Sequence, residues 1–123
     1  MVRLDYKDSR SLHEQIANGI KELIIAKAIA EHEQLPSVRE LSISLTVNPN
    51  TVQKAYKELE AEGFIYSIKG RGNFVSSVSD AKDEKKIEEL YNALTNTVKE
   101  LLYLGESNEN IINIIKSIKE EAL

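Results

Sequence analysis

Apolar residues return at helical intervals three times in the first half of the chain. Leu12, Ile16, Ile20, Leu23 and Ile24 make one stripe between about Ser9 and Lys27, with Glu14, Lys21 and Glu22 off it, which predicts a first helix. A weakly patterned connection, Ala28 to Gln34, carries Ile29. Val38, Leu41 and Leu45 then mark the buried edge of a short second helix. Its start is encoded in Ser37-Val38-Arg39-Glu40, a capping box in which the Ser37 hydroxyl takes the Glu40 amide and Glu40 reaches back. Pro36 ahead of it suits a chain not yet helical. Thr46-Val47-Asn48 makes a turn, and Val52, Ala55, Tyr56 and Leu59 are the inward positions of a third helix from Pro49 to about Glu62. Asn48 is a good N-cap, Pro49 sits where a missing amide proton costs nothing, and Gly63 can close the far end with positive φ.

The period then falls to two. Phe64 to Ser67 and Asn73 to Ser77 alternate around the tip Ile68-Lys69-Gly70-Arg71-Gly72, which predicts a β-hairpin. A polar linker, Ser76 to Lys82, leads to a long helix that Ser79 or Asp80 can cap. Its stripe is Ile87, Leu90, Tyr91, Leu94, Val98, Leu101 and Leu102, and Gly105 ends it. Ser107-Asn108-Glu109 opens a last helix carrying Ile111, Ile112, Ile114, Ile115 and Ile118. The expected fold is mainly α with a small β-hairpin: a winged helix-turn-helix over residues 1–77, then a C-terminal helical pair over 78–123.

The 123 residues contain no cysteine, which excludes disulfides and thiolate metal sites and fits a reducing cytoplasm. The opening MVRLDYKDSR is too polar for a signal peptide, and no apolar run reaches the ~18 residues of a membrane span. The net charge of −4 argues against a nucleic-acid partner until the chain is divided. Residues 1–77 hold ten Lys/Arg and ten Asp/Glu; residues 78–123 hold six and ten. All the acidic excess lies in the second part, so the first can present a positive face.

Two helices joined by a short turn, the second strongly capped and followed by a hairpin, form a recognised DNA-reading pattern. The leading turn of the third helix must enter the major groove, and Asn48, Asn50, Thr51, Gln53 and Lys54 are short or polar enough to do so. Asn and Gln can pair bidentately with adenine, and Thr can hydrogen-bond a base or touch a thymine methyl. Lys54 and Lys57 lie further along, placed for phosphate. Lys69 and Arg71, set among Gly70 and Gly72, suit phosphate or minor-groove contact.

Leu35-Pro36-Ser37-Val38-Arg39-Glu40-Leu41, Val47-Asn48-Pro49-Asn50-Thr51-Val52, Leu59-Glu60-Ala61-Glu62-Gly63 and Gly70-Arg71-Gly72-Asn73-Phe74-Val75 closely resemble the GntR family over residues 10–77. The Val-Asn-Pro-Asn-Thr-Val run resembles its small YtrA-like branch, where a short C-terminal helical pair serves dimerisation. The resemblance implies that Arg39 contacts phosphate or a base edge and that Asn50, Thr51 and Gly70 lie against DNA. The candidate DNA-binding set is therefore Ser37, Arg39, Asn48, Asn50, Thr51, Gln53, Lys54, Lys57, Lys69, Gly70, Arg71 and Gly72. This chain departs from many relatives in having Pro49 and Gln53 where they carry Arg. It also replaces the usual glycine-and-proline turn by Ala28-Ile29-Ala30-Glu31-His32-Glu33, which predicts a first connection less sharply bent and more helical.

Other features read more plainly. Tyr56 is expected as half-buried packing. His13 and His32 are too far apart and too poorly accompanied for a metal site, and no base, oxyanion loop or carboxylate pair supports catalysis. No metal, no cofactor and no enzyme activity is expected. The stripe Ile87, Leu90, Tyr91, Leu94, Val98, Leu101 and Leu102 needs more cover than one short helix provides, because each buried side chain is worth ~1.5–3 kcal/mol; a second copy would supply it. The expected function is a cytoplasmic, sequence-specific regulator, a repressor that binds a double-stranded operator with two half-sites as a homodimer. The rival reading is a winged-helix protein-interaction module without DNA specificity. The ending Glu120-Glu121-Ala122-Leu123 completes the helical pair and speaks against fusion to a larger domain. With no ligand domain after the hairpin, a small-molecule effector is left the linker or the dimer interface.

Overall fold

The computed structural model describes residues 2–77 and 84–122, with side chains through residue 118. The candidate caps Ser79 and Asp80 and most of the linker lie outside the described residues. The chain divides into two compact units, Met1–Ala81 and Lys82–Leu123.

The first unit runs α1 (Leu12–Ile25), α2 (Val38–Leu45), α3 (Pro49–Ala61), β1 (Ile65–Ile68) and β2 (Gly72–Val75). Its helices start where side chains can take orphaned amides. Ser11 accepts from the Glu14 amide, Ser37 and Glu40 form the reciprocal capping box, and Asn48 accepts from the Asn50 amide at 2.8 Å. The inward stripe of α3 behaves as its spacing requires: Val52, Ala55, Tyr56 and Leu59 are all buried. They meet Ile16, Ala17 and Ile20 of α1, Leu41 of α2, and Ile65 and Val75 of the hairpin in one core. Tyr56 is buried outright rather than half-buried, and its hydroxyl donates to the Pro36 carbonyl at 2.6 Å. Burial, and secondarily the charge of Glu40, push that phenol's pKa upward. The bond ties α3 to the segment just ahead of the α2 cap.

Helix ends follow one device. In α1, α2 and α3 an amide two or three residues past the last helical residue reaches back to a carbonyl five earlier: Ala28 to Leu23, Val47 to Ser42, Phe64 to Leu59, at 2.9, 3.0 and 2.9 Å. Each closure needs a residue at positive φ. Gly63 supplies it at the end of α3, but Lys27 (φ 60°) and Thr46 (φ 55°) supply it elsewhere. The connection after α1 is therefore sharply bent and not helical. The expected extra helix is absent because Lys27 turns left-handed, and His32 (φ 64°) does so again. Thr46 is the costlier case, since a β-branched residue there bears about 1–2 kcal/mol of steric penalty. Thr46→Gly is expected to raise stability by about 0.5–1 kcal/mol, after glycine's extra unfolded freedom offsets part of the relief. A thermal melt a few degrees higher than wild type would record it.

The bend has a structural product. Beyond it, residues 32–35 run antiparallel to β2 on the edge away from β1. His32 donates to the Val75 carbonyl (2.7 Å), Val75 to Glu33 (3.0 Å) and Leu35 to Asn73 (2.9 Å), with Gln34 bridged to Phe74. The β1–β2 register is Ile65↔Val75, Tyr66↔Phe74, Ser67↔Asn73 and Ile68↔Gly72. One face carries a stacked Tyr66–Phe74 pair, and His32 hydrogen-bonds the Tyr66 hydroxyl at 2.9 Å.

The N-terminal segment is anchored by a buried Gln15. Its amide accepts from Asp5 N (2.8 Å) and donates to the carbonyls of Asp5 (2.9 Å) and Arg10 (3.1 Å). Val2 packs against Gly19, where an added Cβ would lie 3.0 Å from a Val2 methyl. Arg10 donates to Asp8 at 2.7 Å and holds that carboxyl down at about 2.

The second unit holds α4 (Glu84–Tyr103) and α5 (Asn108–Ala122). Gly105 (φ 93°) closes α4, with Glu106 N on Leu101 O at 2.9 Å, and the Ser107 hydroxyl caps α5 by accepting from Asn110 N at 3.1 Å. No residue of α4 is buried. Tyr91 is 66% exposed, Leu94 48% and Ile115 54%. The apolar stripes exist, and within the single chain they are covered only in part: Ile87, Val98, Leu101 and Ile111 are half-buried and the rest exposed. No helix among the described residues is long and apolar enough to cross a membrane.

Candidate nucleic-acid interface

Helix α3 carries two stripes of identical spacing. Val52, Ala55, Tyr56 and Leu59 point into the core; Asn50, Gln53, Lys54 and Lys57, offset by two residues and so about 200° round the helix, are all exposed. Thr51, at the seam between them, is half-buried. The same periodicity that buries one face therefore presents the other, and the presented face bears two amides and two ammonium groups.

Charge is graded along α3. Its first turn has no acid, while Glu58, Glu60 and Glu62 crowd its last turns. That placement opposes the helix macrodipole, which favours acids at the start and bases at the end. Each of these acids has a partner elsewhere. Glu58 lies 2.7 Å from His13 Nδ1, Glu62 is 2.6 Å from Lys21 Nζ, and Glu60 accepts from the Ser67 hydroxyl. Lys21 also sits 5.2 Å from the Phe64 ring centroid. The leading half of α3 is left cationic, as a surface approaching phosphates requires.

The capping duties narrow what individual residues can do. The side-chain oxygen of Asn48 already accepts from the Asn50 amide, which leaves its NH2 as the unengaged end and only one lone pair for a base edge. The Ser37 oxygen accepts from Glu40 N at 3.0 Å, leaving its hydroxyl proton as a donor. Asn50 and Gln53 have both ends of their amides free of partners among the described residues. Arg39 stands exposed at the second position of α2, its backbone carbonyl accepting from the Ser42 hydroxyl at 2.8 Å.

At the hairpin tip Arg71 N donates to Ile68 O at 2.9 Å, a four-residue turn with Gly70 at φ 80° in the position where type II turns need glycine. Lys69, Gly70 and Arg71 are exposed and Gly72 half-buried. Among the described residues none of Arg39, Lys54, Lys57, Lys69 and Arg71 is in an ion pair. The structure thus brings all twelve sequence-derived candidates into the first unit, on α2, α3 and the hairpin. Gln34, whose side chain reaches the hairpin tip, was not among them; its role rests on a contact between residues far apart in sequence, which local patterning does not signal.

The model of bacterial regulatory proteins of the gntR family matches residues 12–75. Over 122 residues the chain is 36% identical to the HTH-type transcriptional repressor YtrA of Bacillus subtilis (strain 168), spanning 98% of this chain and 94% of that one. A crystal structure of a transcriptional antiterminator from Listeria monocytogenes EGD-e shares 34% identity and a TM-score of 0.87, covering 99% of this chain and 92% of its own. The DNA-binding domain of AraR, solved in complex with an operator, is 26% identical with a TM-score of 0.54, covering 62% of this chain and 93% of that domain. The chain belongs to the GntR family, in its YtrA-like branch, and is a DNA-binding transcription regulator rather than an enzyme.

Proposed function

We propose that the chain is a cytoplasmic repressor that binds a two-half-site operator as a homodimer, residues 1–77 reading DNA and 78–123 pairing the subunits. The exposed stripe Asn50, Gln53, Lys54 and Lys57, opposite the buried face of α3, carries this reading. Asn50 and Gln53 read base edges in the major groove, with Thr51 at a thymine methyl or backbone. Arg39, Lys54, Lys57, the Ser37 hydroxyl and the Asn48 NH2 take phosphates; Lys69 and Arg71 reach the backbone or minor groove with Gly70 and Gly72 at the surface. Ile87, Leu90, Tyr91, Leu94, Val98, Leu101 and Leu102 of α4 form the dimer contact. No residue of α4 is buried in the single chain, and a two-fold partner would remove that apolar surface from water and set two recognition helices at half-site spacing. An open cavity of about 660 Å³ at the foot of the hairpin, lined by Ile24, Ile29, Phe64 and Val75 beside Ser76 and Ser77, is where a small-molecule effector would bind.

A mobility shift on duplex from the protein's own promoter, against random duplex, tests the reading. Retardation of promoter DNA at protein concentrations that leave random DNA free is expected, weakening steeply as salt rises from 50 to 200 mM. Equal binding to both duplexes, or none, would favour a protein-interaction module instead.

A further inference from the structure

We infer that Gln34, in the connection between α1 and α2, is a positioning residue for the wing tip: it holds the Arg71–Gly72 peptide so that Arg71 is aimed at DNA. Gln34 Nε2 donates to the Arg71 carbonyl at 2.7 Å, across 37 residues of sequence. The preceding peptide is held as well, because Arg71 N donates to Ile68 O at 2.9 Å. Both peptide groups flanking Arg71 are therefore fixed, which sets the direction in which its side chain leaves the turn. The anchor itself is firm. Residues 32–35 are bonded along β2 through His32, Glu33 and Leu35, so Gln34 projects from a paired strand rather than from a free loop.

Gly72 supports the same assignment. Its φ is +124°, and a Cβ there would lie 2.9 Å from Gln34 Nε2. Gly70, also at positive φ, has nothing within 4 Å of such a Cβ. Glycine at 72 thus leaves the Gln34 amide the space it occupies, whereas glycine at 70 serves the turn alone. An arginine on an untethered tip must lose conformational freedom on binding; a tethered one has lost it already, and its contact is correspondingly tighter.

The inference rests on the DNA-binding reading above, and a double-mutant cycle separates the two. Gln34→Met keeps the side chain's length and neutrality but has no N–H to donate. Binding of promoter duplex would be followed by fluorescence anisotropy over a salt series for wild type, Gln34→Met, Arg71→Ala, Arg39→Ala and the doubles Q34M/R71A and Q34M/R39A. Arg71→Ala is expected to weaken binding about tenfold and to flatten the salt slope by about one for each phosphate the wing no longer neutralises. Gln34→Met should reproduce most of both effects, add nothing to Arg71→Ala, and add fully to Arg39→Ala, with a thermal midpoint close to wild type. A residue that merely stabilised the domain would add in both backgrounds and leave the slope alone. Arg71→Ala weak with Gln34→Met at wild-type affinity, or an additive Q34M/R71A double, would overturn the inference alone. Wild-type affinity for Arg71→Ala, or no promoter preference in the wild type, would overturn the wing reading and this inference together.

Discussion

Arg39→Ala is expected to weaken operator binding about a hundredfold while the protein melts at, or slightly above, the wild-type temperature. Arg39 is exposed in the first turn of α2 and in no ion pair among the described residues. A cation there opposes the helix dipole, so its removal should stabilise the helix by a few tenths of a kcal/mol, at the lower end of the ~0.3–1 kcal/mol such placements are worth. Binding moves the other way. One charge-assisted contact worth about 1.4 kcal/mol is a factor of ten, and a two-fold dimer loses it twice. Anisotropy titration at fixed salt beside a thermal melt reads both quantities. Binding within twofold of wild type would remove Arg39 from the interface.

A larger loss is expected from the second unit, which touches no base on this reading. Leu90→Glu combined with Leu94→Glu places two carboxylates one helical turn apart on the α4 stripe. Leu90 is already 57% and Leu94 48% exposed in the single chain, so the substitutions remove no buried side chain. They add repulsion and a desolvation cost only where a second copy covers the stripe. Sedimentation should show monomer, and affinity for the two-half-site duplex should fall on the order of 10²–10⁴-fold, the advantage that linking two binding units confers. The first unit's melting should not change. A variant that still sediments as a dimer would place the subunit contact elsewhere.

Local chemistry was legible in the sequence, and the reason is its short reach. The capping box of Ser37 and Glu40, the Asn48–Pro49 start and the Gly63 stop each involve residues within a turn of one another. The core stripe of α3 follows from period alone. Where the structure differs, a distant partner or an unmarked backbone conformation decides. Nothing in the composition of Lys27, His32 or Thr46 announces positive φ, so the expected helical connection is instead a tight reversal. Gln15 reads as an ordinary polar position on α1, yet it is buried with both ends of its amide engaged by the N-terminal segment. Among the site residues, the exposed placement of Asn50, Gln53, Lys54 and Lys57 follows from the stripe. Asn48's side-chain oxygen is already engaged once by its capping duty, a competing demand that residue type alone does not reveal.

The strand-like run of residues 32–35 bears on how such regulators can be recombined. Because Glu33 and Leu35 share hydrogen bonds with the backbone of Val75 and Asn73, the wing is not a contiguous cassette. A chimera that imports a foreign hairpin over residues 64–76 alone would seat it against a mismatched neighbour, with an amide at position 34 reaching for a carbonyl the new loop need not offer. The exchangeable part is discontinuous: hairpin and upstream segment travel together, or neither does.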